Sequence, residues 1–312
     1  MSVFRFIAQK KAEHRVKTLC RVLGVSRSGF HAWERRPPSD RALTDARLTE
    51  RIRAMHERSR DSYGARRIHL DLRDEEIRVG RKRVERLMRN AGLSGYVKRR
   101  KGKTTIRVAG VSPAEDLVDR NFVAAGPNEL WMSDIKEIPT WEGKLYLASV
   151  LDCFSRKVVG WSMRDNMQAE LVVDALEMGI SRRRPAGKLV HHSDHGSQYV
   201  ALIFGQKLRK AGIAQSMGSV GDCYDNAVCE SFHATIEKEL LRRRPFRTKQ
   251  EARTAIFDWI EAWYNPERRH SRLGNISPDR HERNHHDRTK KDDSEDTNPP
   301  DINSNNTTAV AA

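Results

Sequence analysis

Three acidic residues sit where a carboxylate could do chemistry. Asp194 lies in HHSDHGSQY, residues 191–199, where strand-like KLVH at 188–191 runs towards the acid and a Gly196–Ser197 turn opens a helical pattern. Asp134 lies sixty positions earlier, in the apolar pattern WMSDIKEI, and Glu230 follows in CYDNAVCESF, with 35 residues between Asp194 and Glu230. An ionised carboxylate only accepts hydrogen bonds, and one placed in an apolar strand without a cation loses its hydration. Three together make a hard-oxygen set suited to Mg²⁺ or Mn²⁺, whereas zinc would favour His and Cys. Two such ions would activate an attacking oxygen and stabilise a leaving one in phosphoryl transfer. Spacing alone leaves a second reading open, that of three unrelated surface acids. Of the neighbouring acids, Asp152 is expected to order the turn into Ser155–Arg156, Asp225 to cap the next helix, and Asp222 lies in the Gly-rich loop between them.

The elements around these acids alternate in type. Strand patterns at 130–138, 145–153 and 157–163 follow one another across short turns and read as an antiparallel meander. A helix at 169–181, the strand before Asp194, a helix at 199–211 and a short strand at 213–217 then imply a mixed sheet with helices packed on it. The helix expected at 227–241 buries Phe232, Ile236 and Leu240, while Glu230 shares another face with Asn226, His233 and Glu237. Further on, Thr248 and Glu251 form a capping box, and Ile256, Trp259, Ile260 and Trp263 stripe a helix for the core. Arg268, Arg269, His270 and Arg272 make a basic turn expected to hold DNA near the acids. From residue 281 the composition is polar and rich in Asn and Pro, and disorder is expected.

Charge divides the chain unevenly. Residues 1–120 hold 31 Lys and Arg against 15 Asp and Glu, equal to the net +16 of all 312 residues. Clustered cations favour a polyanion, because binding to phosphates releases counterions. Helical periodicity over Val16–Leu23 ends at Gly24, and Ser26 is placed to cap a second short helix carrying Phe30 and Trp33. A longer helix follows from Leu48, then one beginning at Tyr63–Gly64, and then one lined by Val84, Leu87 and Met88. That last helix carries Arg81, Lys82, Arg83, Arg86 and Arg89, a basic face that suits a major groove. No apolar run approaches the roughly 20 residues of a membrane span, so a cytoplasmic location and no membrane partner are expected. Cys20, Cys153, Cys223 and Cys229 have neither the spacing of a zinc site nor that of a disulfide framework.

The motifs WMSDI, VLDCFSRKVVGW, HHSDHGSQY, GDCYDNAVCESF and YNPERRHSRLGNISP occur in this order, and through them residues 14–280 resemble the integrase-core transposases of insertion sequences, specifically the second-reading-frame (OrfB) product. The resemblance implies an α/β, ribonuclease H-like mixed sheet flanked by helices and preceded by an all-α helix-turn-helix region. It divides the chain into helix-turn-helix segments at 1–40 and 41–95, a basic linker at 96–121, the catalytic core at 122–280 and a tail at 281–312. Matched residue by residue, Asp134, Asp194 and Glu230 become the metal-binding catalytic triad, with two Mg²⁺ or Mn²⁺ ions. The partners implied are double-stranded DNA at element ends and target, an upstream reading-frame product, and further copies of the chain on DNA, in association with a bacterial nucleoid. The implied reaction cleaves a phosphodiester at an element end and uses the 3′-hydroxyl to attack another strand; a nuclease without strand transfer and an inert DNA-binding regulator are the alternatives. Three positions depart from the family pattern. Lys136 stands where Thr is usual, His195 where Arg is usual, and Glu237 where a DNA-contacting Lys is usual, leaving the adjacent Lys238 as the candidate contact.

Overall fold

The computed structural model describes residues 3–96, 124–194, 196–217 and 227–295. The basic linker, the expected boundary near residue 122, His195, Asp222, Asp225 and the end of the tail lie outside the described residues. The chain forms two compact units: one comprises residues 1–58 with 68–94, the other residues 59–67 with 95–312. Residues 59–67 group with the second unit.

In the first unit, helices α1 (Val3–Lys10), α2 (Val16–Val22) and α3 (Arg27–Arg35) enclose Ile7, Cys20 and Phe30. Ser26 Oγ accepts from Gly29 N at 2.9 Å, the expected cap of α3, and Gly24 ends its helix at φ +67°. Helices α4 (Asp40–Arg58), α5 (Ala65–Asp74), of which residues 68–74 belong to this unit, and α6 (Arg81–Asn90) follow. Ile52, Ile68, Leu72 and Val84 are fully buried, each worth about 1.5–3 kcal/mol of burial.

The second unit is built on a five-stranded sheet of order β3-β2-β1-β4-β5. Strands β1 (Leu130–Thr140), β2 (Gly143–Asp152) and β3 (Val158–Arg164) form the antiparallel meander, and β4 (Val190–Ser193) and β5 (Ala214–Met217) add in parallel. The β1–β2 turn is tight because Gly143 takes φ +104°. Asp152, fully buried, orders the β2–β3 turn as expected: Oδ1 accepts from Phe154 N and Ser155 N at 3.0 Å and Oδ2 from Asn128 N at 2.7 Å. On one face, α7 (Ala169–Arg183) and α9 (Leu202–Lys210) cover Trp131, Ala148, Val150 and Val159. The approach of α7 is close enough that a Cβ on Gly160 would fall 2.1 Å from Ala175 O. The helix expected at 199–211 is broken at Ala201 into α8 (Ser197–Val200) and α9.

Helix α10 (Ala227–Ile236) continues into a π-helical turn, Glu237–Leu241. The wider turn shifts the side-chain register, so Glu239 is buried and Leu240 only half-buried, reversing the expectation for Leu240. Helix α11 (Lys249–Asp258) starts at the Thr248–Glu251 cap, with Glu251 N donating to Thr248 Oγ1 at 3.0 Å, and passes into a second π-helical stretch, Trp259–Tyr264. Trp259, Ile260 and Trp263 are buried, as their spacing predicts. Helix α12 (Pro278–Glu295) occupies the stretch where disorder is expected. Its composition lacks apolar residues, but ion pairs dock it: Arg183 grips Glu282 at 2.8 and 2.9 Å, and Lys157 meets Asp279 at 2.8 Å.

Candidate active site

Parallel pairing of β1 with β4 sets Leu130 beside Val190, Trp131 beside His191 and Met132 beside His192. The pairing ends there and β4 ends at Ser193, one residue before Asp194, so the parallel run points Asp134 and Asp194 towards the same end of the sheet, and the charges of both act on Tyr199 and Cys229. Alternation turns both away from the α7 face, since Trp131 belongs to that face and Asp134 is three residues on. Asp134 Oδ1 accepts from Ile135 N at 2.7 Å, and Asp194 Oδ1 from Gly196 N at 3.0 Å. The Asp134 side chain retains 23% exposure, and Asp194 is exposed.

Glu230 comes from α10. One turn later on the same helical face, His233 places Nδ1 3.3 Å from Asp134 Oδ2. That contact turns the His233 face of α10, which Glu230 shares by helical spacing, towards Asp134 in the middle of β1, while Phe232 and Ile236 are buried. His233 Nε2 is buried without a hydrogen-bond partner. Among the described residues, no group of three His, Cys, Asp or Glu side chains is already drawn together for a metal ion. The donor set still fits a hard cation, since carboxylates brought close together repel each other unless a positive charge lies between them.

The layer beneath the acids is neutral and packed. Ser133 Oγ is 2.6 Å from His191 Nε2, and His192 Nδ1 is 3.0 Å from Ser216 Oγ. Burial, reinforced by the neighbouring His192, pushes the His191 pKa down to about 3. Burial raises the Cys229 thiol and Tyr199 phenol far above their ordinary values, the nearby Asp134 charge adding to it, so neither ionises beside the acids.

Two departures from the family pattern meet each other. Lys136, two residues beyond Asp134 on the same face of β1, places Nζ 3.1 Å from Glu237 Oε2, and Arg242 Nε reaches Glu237 Oε1 at 2.8 Å. Burial opposes ionisation of Glu237, but hydrogen bonds and charge from Arg242 and Lys136 outweigh it and hold the carboxyl below its usual range. Lys238 is half-buried on the π-helical turn and makes no ion pair among the described residues.

The expected DNA contacts separate into two groups. Arg268 and Arg269 are 7% and 8% exposed. Arg268 forms a two-pronged pair with Glu239 at 2.7 and 2.8 Å, and Arg269 Nη1 donates to Asn275 O at 2.8 Å. Their guanidiniums are engaged inside the protein, which corrects the outward role expected for them; Glu239, the partner that recruits Arg268, is 29 positions away in sequence. In the first unit, Arg83 and Arg86 both clamp Asp45 at 2.7 Å, and Arg81 meets Glu85 at 3.1 Å. Lys82 and Arg89, seven residues apart on one helical face, are exposed and make no ion pair among the described residues.

The sheet order and flanking helices define a ribonuclease H-like core preceded by a helix-turn-helix-like region. Family profiles agree in placement: integrase core domain profiles match residues 124–223 and 211–278, and an HTH-like domain profile matches residues 43–101. The chain is 41% identical to the "Insertion element IS600 uncharacterized 31 kDa protein" of Shigella sonnei over 83% of its length and 96% of that protein. It is 38% identical to the "Transposase for insertion sequence element IS629" of Shigella sonnei, covering 86% of this chain and 91% of the relative. Identity to the "Transposase InsF for insertion sequence IS3A" of Escherichia coli is 37%, covering 89% and 97%. Among solved structures, the HTLV-2 integrase catalytic core domain in complex with magnesium aligns at 18% identity and TM-score 0.37, covering 49% of this chain and 95% of that one. The chain belongs to the integrase-core transposases of insertion sequences, which makes it a polynucleotidyl transferase of the DDE type.

Proposed function

We propose that Asp134, Asp194 and Glu230 are the catalytic carboxylates with which this transposase cleaves a phosphodiester at an element end and joins the freed 3′-hydroxyl to a target strand. The observation that supports the assignment is the parallel pairing of β1 with β4, the strands that lead to the two aspartates, together with the contact of His233, one turn from Glu230 on α10, with Asp134. The three carboxylates would hold two Mg²⁺ or Mn²⁺ ions, with Glu230 closing from α10. When bound, such ions supply activation of the attacking oxygen and neutralise charge on the leaving one. The chain's own part is orientation: Ile135 N and His233 fix the Asp134 carboxylate, Gly196 N fixes Asp194, and both acids rest on a packed, uncharged layer.

Double-stranded DNA at element ends and target is the substrate. Lys82 and Arg89 on α6 are the outward cations of the helix-turn-helix-like region, and Lys238 is the further candidate contact. The +16 carried by residues 1–120 favours tight binding with modest discrimination, so an upstream reading-frame product and assembly of further copies on DNA would sharpen end recognition. The DNA substrate places the working protein at the bacterial nucleoid. Among the described residues no helix is long and apolar enough to cross a membrane.

The test is a strand-transfer assay on the element's own flanking DNA with Mg²⁺, comparing wild type with Asp134→Asn, Asp194→Asn and Glu230→Gln. Wild type should yield both nicks and joined strands, and each variant should yield neither while binding duplex DNA as before. Nicks without joined strands would assign a nuclease instead. Wild-type turnover in any one variant would remove that residue from the triad.

A further inference from the structure

Behind the catalytic helix lies a cavity of about 440 Å³ that the reading above does not use. At about 100° per residue, Ser231 and Thr235, which line it, fall on the side of α10 away from Glu230 and His233. The remaining wall is cationic: Arg67, Arg156, Arg268 and Arg272 contribute to it, and among the described residues no acidic one does. All of these residues belong to the second unit.

The cations are arranged in two tiers. Arg268 is neutralised by Glu239 at the base, and Arg67 lies with its guanidinium carbon 5.0 Å from the Tyr63 ring centroid. Arg156 and Arg272, in contrast, have no ion pair and no side-chain hydrogen bond among the described residues. Arg156 also sits at φ +62°, a left-handed conformation that is uncommon for a residue with a Cβ and that gathers at functional positions. The cavity wall includes flat rings: His270 and Tyr264 stand edge to face with centroids 4.9 Å apart. His270 is uncharged there, because burial, and then the charges of Arg268, Arg67 and Arg156, push its pKa down to about 2. It therefore offers a neutral face beside the guanidiniums.

We propose that this cavity is a second nucleic-acid site, which takes one nucleotide of a single DNA strand, its phosphate between Arg156 and Arg272 and its base against the His270 ring, which buried Tyr264 backs. The volume suits a small guest and exceeds what a lone phosphate needs, while a recess of this size excludes a duplex. Guanidiniums and ring faces together are the usual means of gripping an unpaired strand, through phosphate contacts and stacking. The cavity lies on another side of α10 from Glu230, and the helix is about 10–12 Å across with its side chains, so a strand held there would reach the acids only over several nucleotides. The inference rests on the transposase reading for its choice of DNA, but its test needs no catalysis.

The measurement is fluorescence anisotropy of the full chain with labelled single-stranded dT12 and, separately, a random duplex, without divalent metal. The Arg156→Ala/Arg272→Ala double variant should weaken dT12 binding about tenfold, equivalent to ~1.4 kcal/mol, and change duplex binding less than twofold. Arg272→Glu alone, at an exposed site, should give the same selective loss if the double variant folds poorly. Loss of dT12 and duplex binding in equal measure, or dT12 binding within twofold of wild type in both variants, would overturn the proposal. So would binding of dTMP or inorganic phosphate as tight as that of dT12, which would mark a free-anion site. Asp194→Asn should bind dT12 like wild type, so failure of the triad and failure of the cavity give different results.

Discussion

The two units of this transposase use arginine in opposite ways. On α6 of the first unit, Arg83 and Arg86 grip Asp45 from the surface, and Lys82 and Arg89 face outward. In the second, Arg268 is enclosed with Glu239, and Arg183 is drawn into a cluster with Glu282 and Asn128. A guanidinium turned inward with its carboxylate holds elements together; one left outward is available to phosphate. Local sequence does not separate the two cases, because the deciding carboxylate can lie on a distant element.

The largest effect that would break this comparison is on stability. Glu239→Gln should cost about 3–5 kcal/mol, because it leaves the Arg268 charge buried without its partner. Asp45→Asn, whose arginines can turn to water, should cost far less. Denaturant midpoints of both variants measure this, and equal losses would mean that burial does not set the difference. Acid should act on the second unit next. His191 and His270 are held neutral, with pKa values of about 3 and about 2 against an ordinary 6.5. As pH falls below 6.5 the unfolded chain takes up protons that the folded chain refuses, so stability should drop progressively from pH 6.5 towards pH 3 and stay level above 7. Urea titrations at pH 7.5, 6 and 5 read this, and His191→Gln should flatten part of the slope.

Smaller effects sharpen the outward side of the comparison. Lys82→Ala with Arg89→Ala should lower the slope of log affinity against log salt for duplex DNA by close to two, about 0.9 for each lost phosphate contact. An unchanged slope would place the DNA elsewhere. Glu237→Lys should tighten element-end binding by about two- to fivefold, the range expected for one exposed ion pair, since it removes a repelling charge and frees Lys136. Unchanged affinity would argue that Lys238 already serves that contact.

Much of the fold follows from periodicity. The β1–β3 meander, α7 and the core tryptophans of the α11 region lie where alternating and helical apolar patterns put them, because those patterns arise within each element. Failures came where a partner decides. Leu240 and Glu239 exchange burial because a π-helical turn shifts their register, and α12 is helical because Arg183 and Lys157 bind its acids. Lys136 and Glu237, read as separate departures from a family pattern, form one ion pair.

For the site, local sequence determined the types and order of the three acids, since each lies in a motif whose strand, turn or helix is set by neighbouring residues. It also marked His233 as sharing the face of Glu230. Tertiary structure alone decided that the strands carrying Asp134 and leading to Asp194 pair in parallel across sixty residues of sequence, and that Arg156 lines a cavity beside α10 with Arg272. The physical reason is the same in each case: side-chain direction is a local property of the backbone, whereas the charge that a side chain meets is supplied by whichever distant element packs against it.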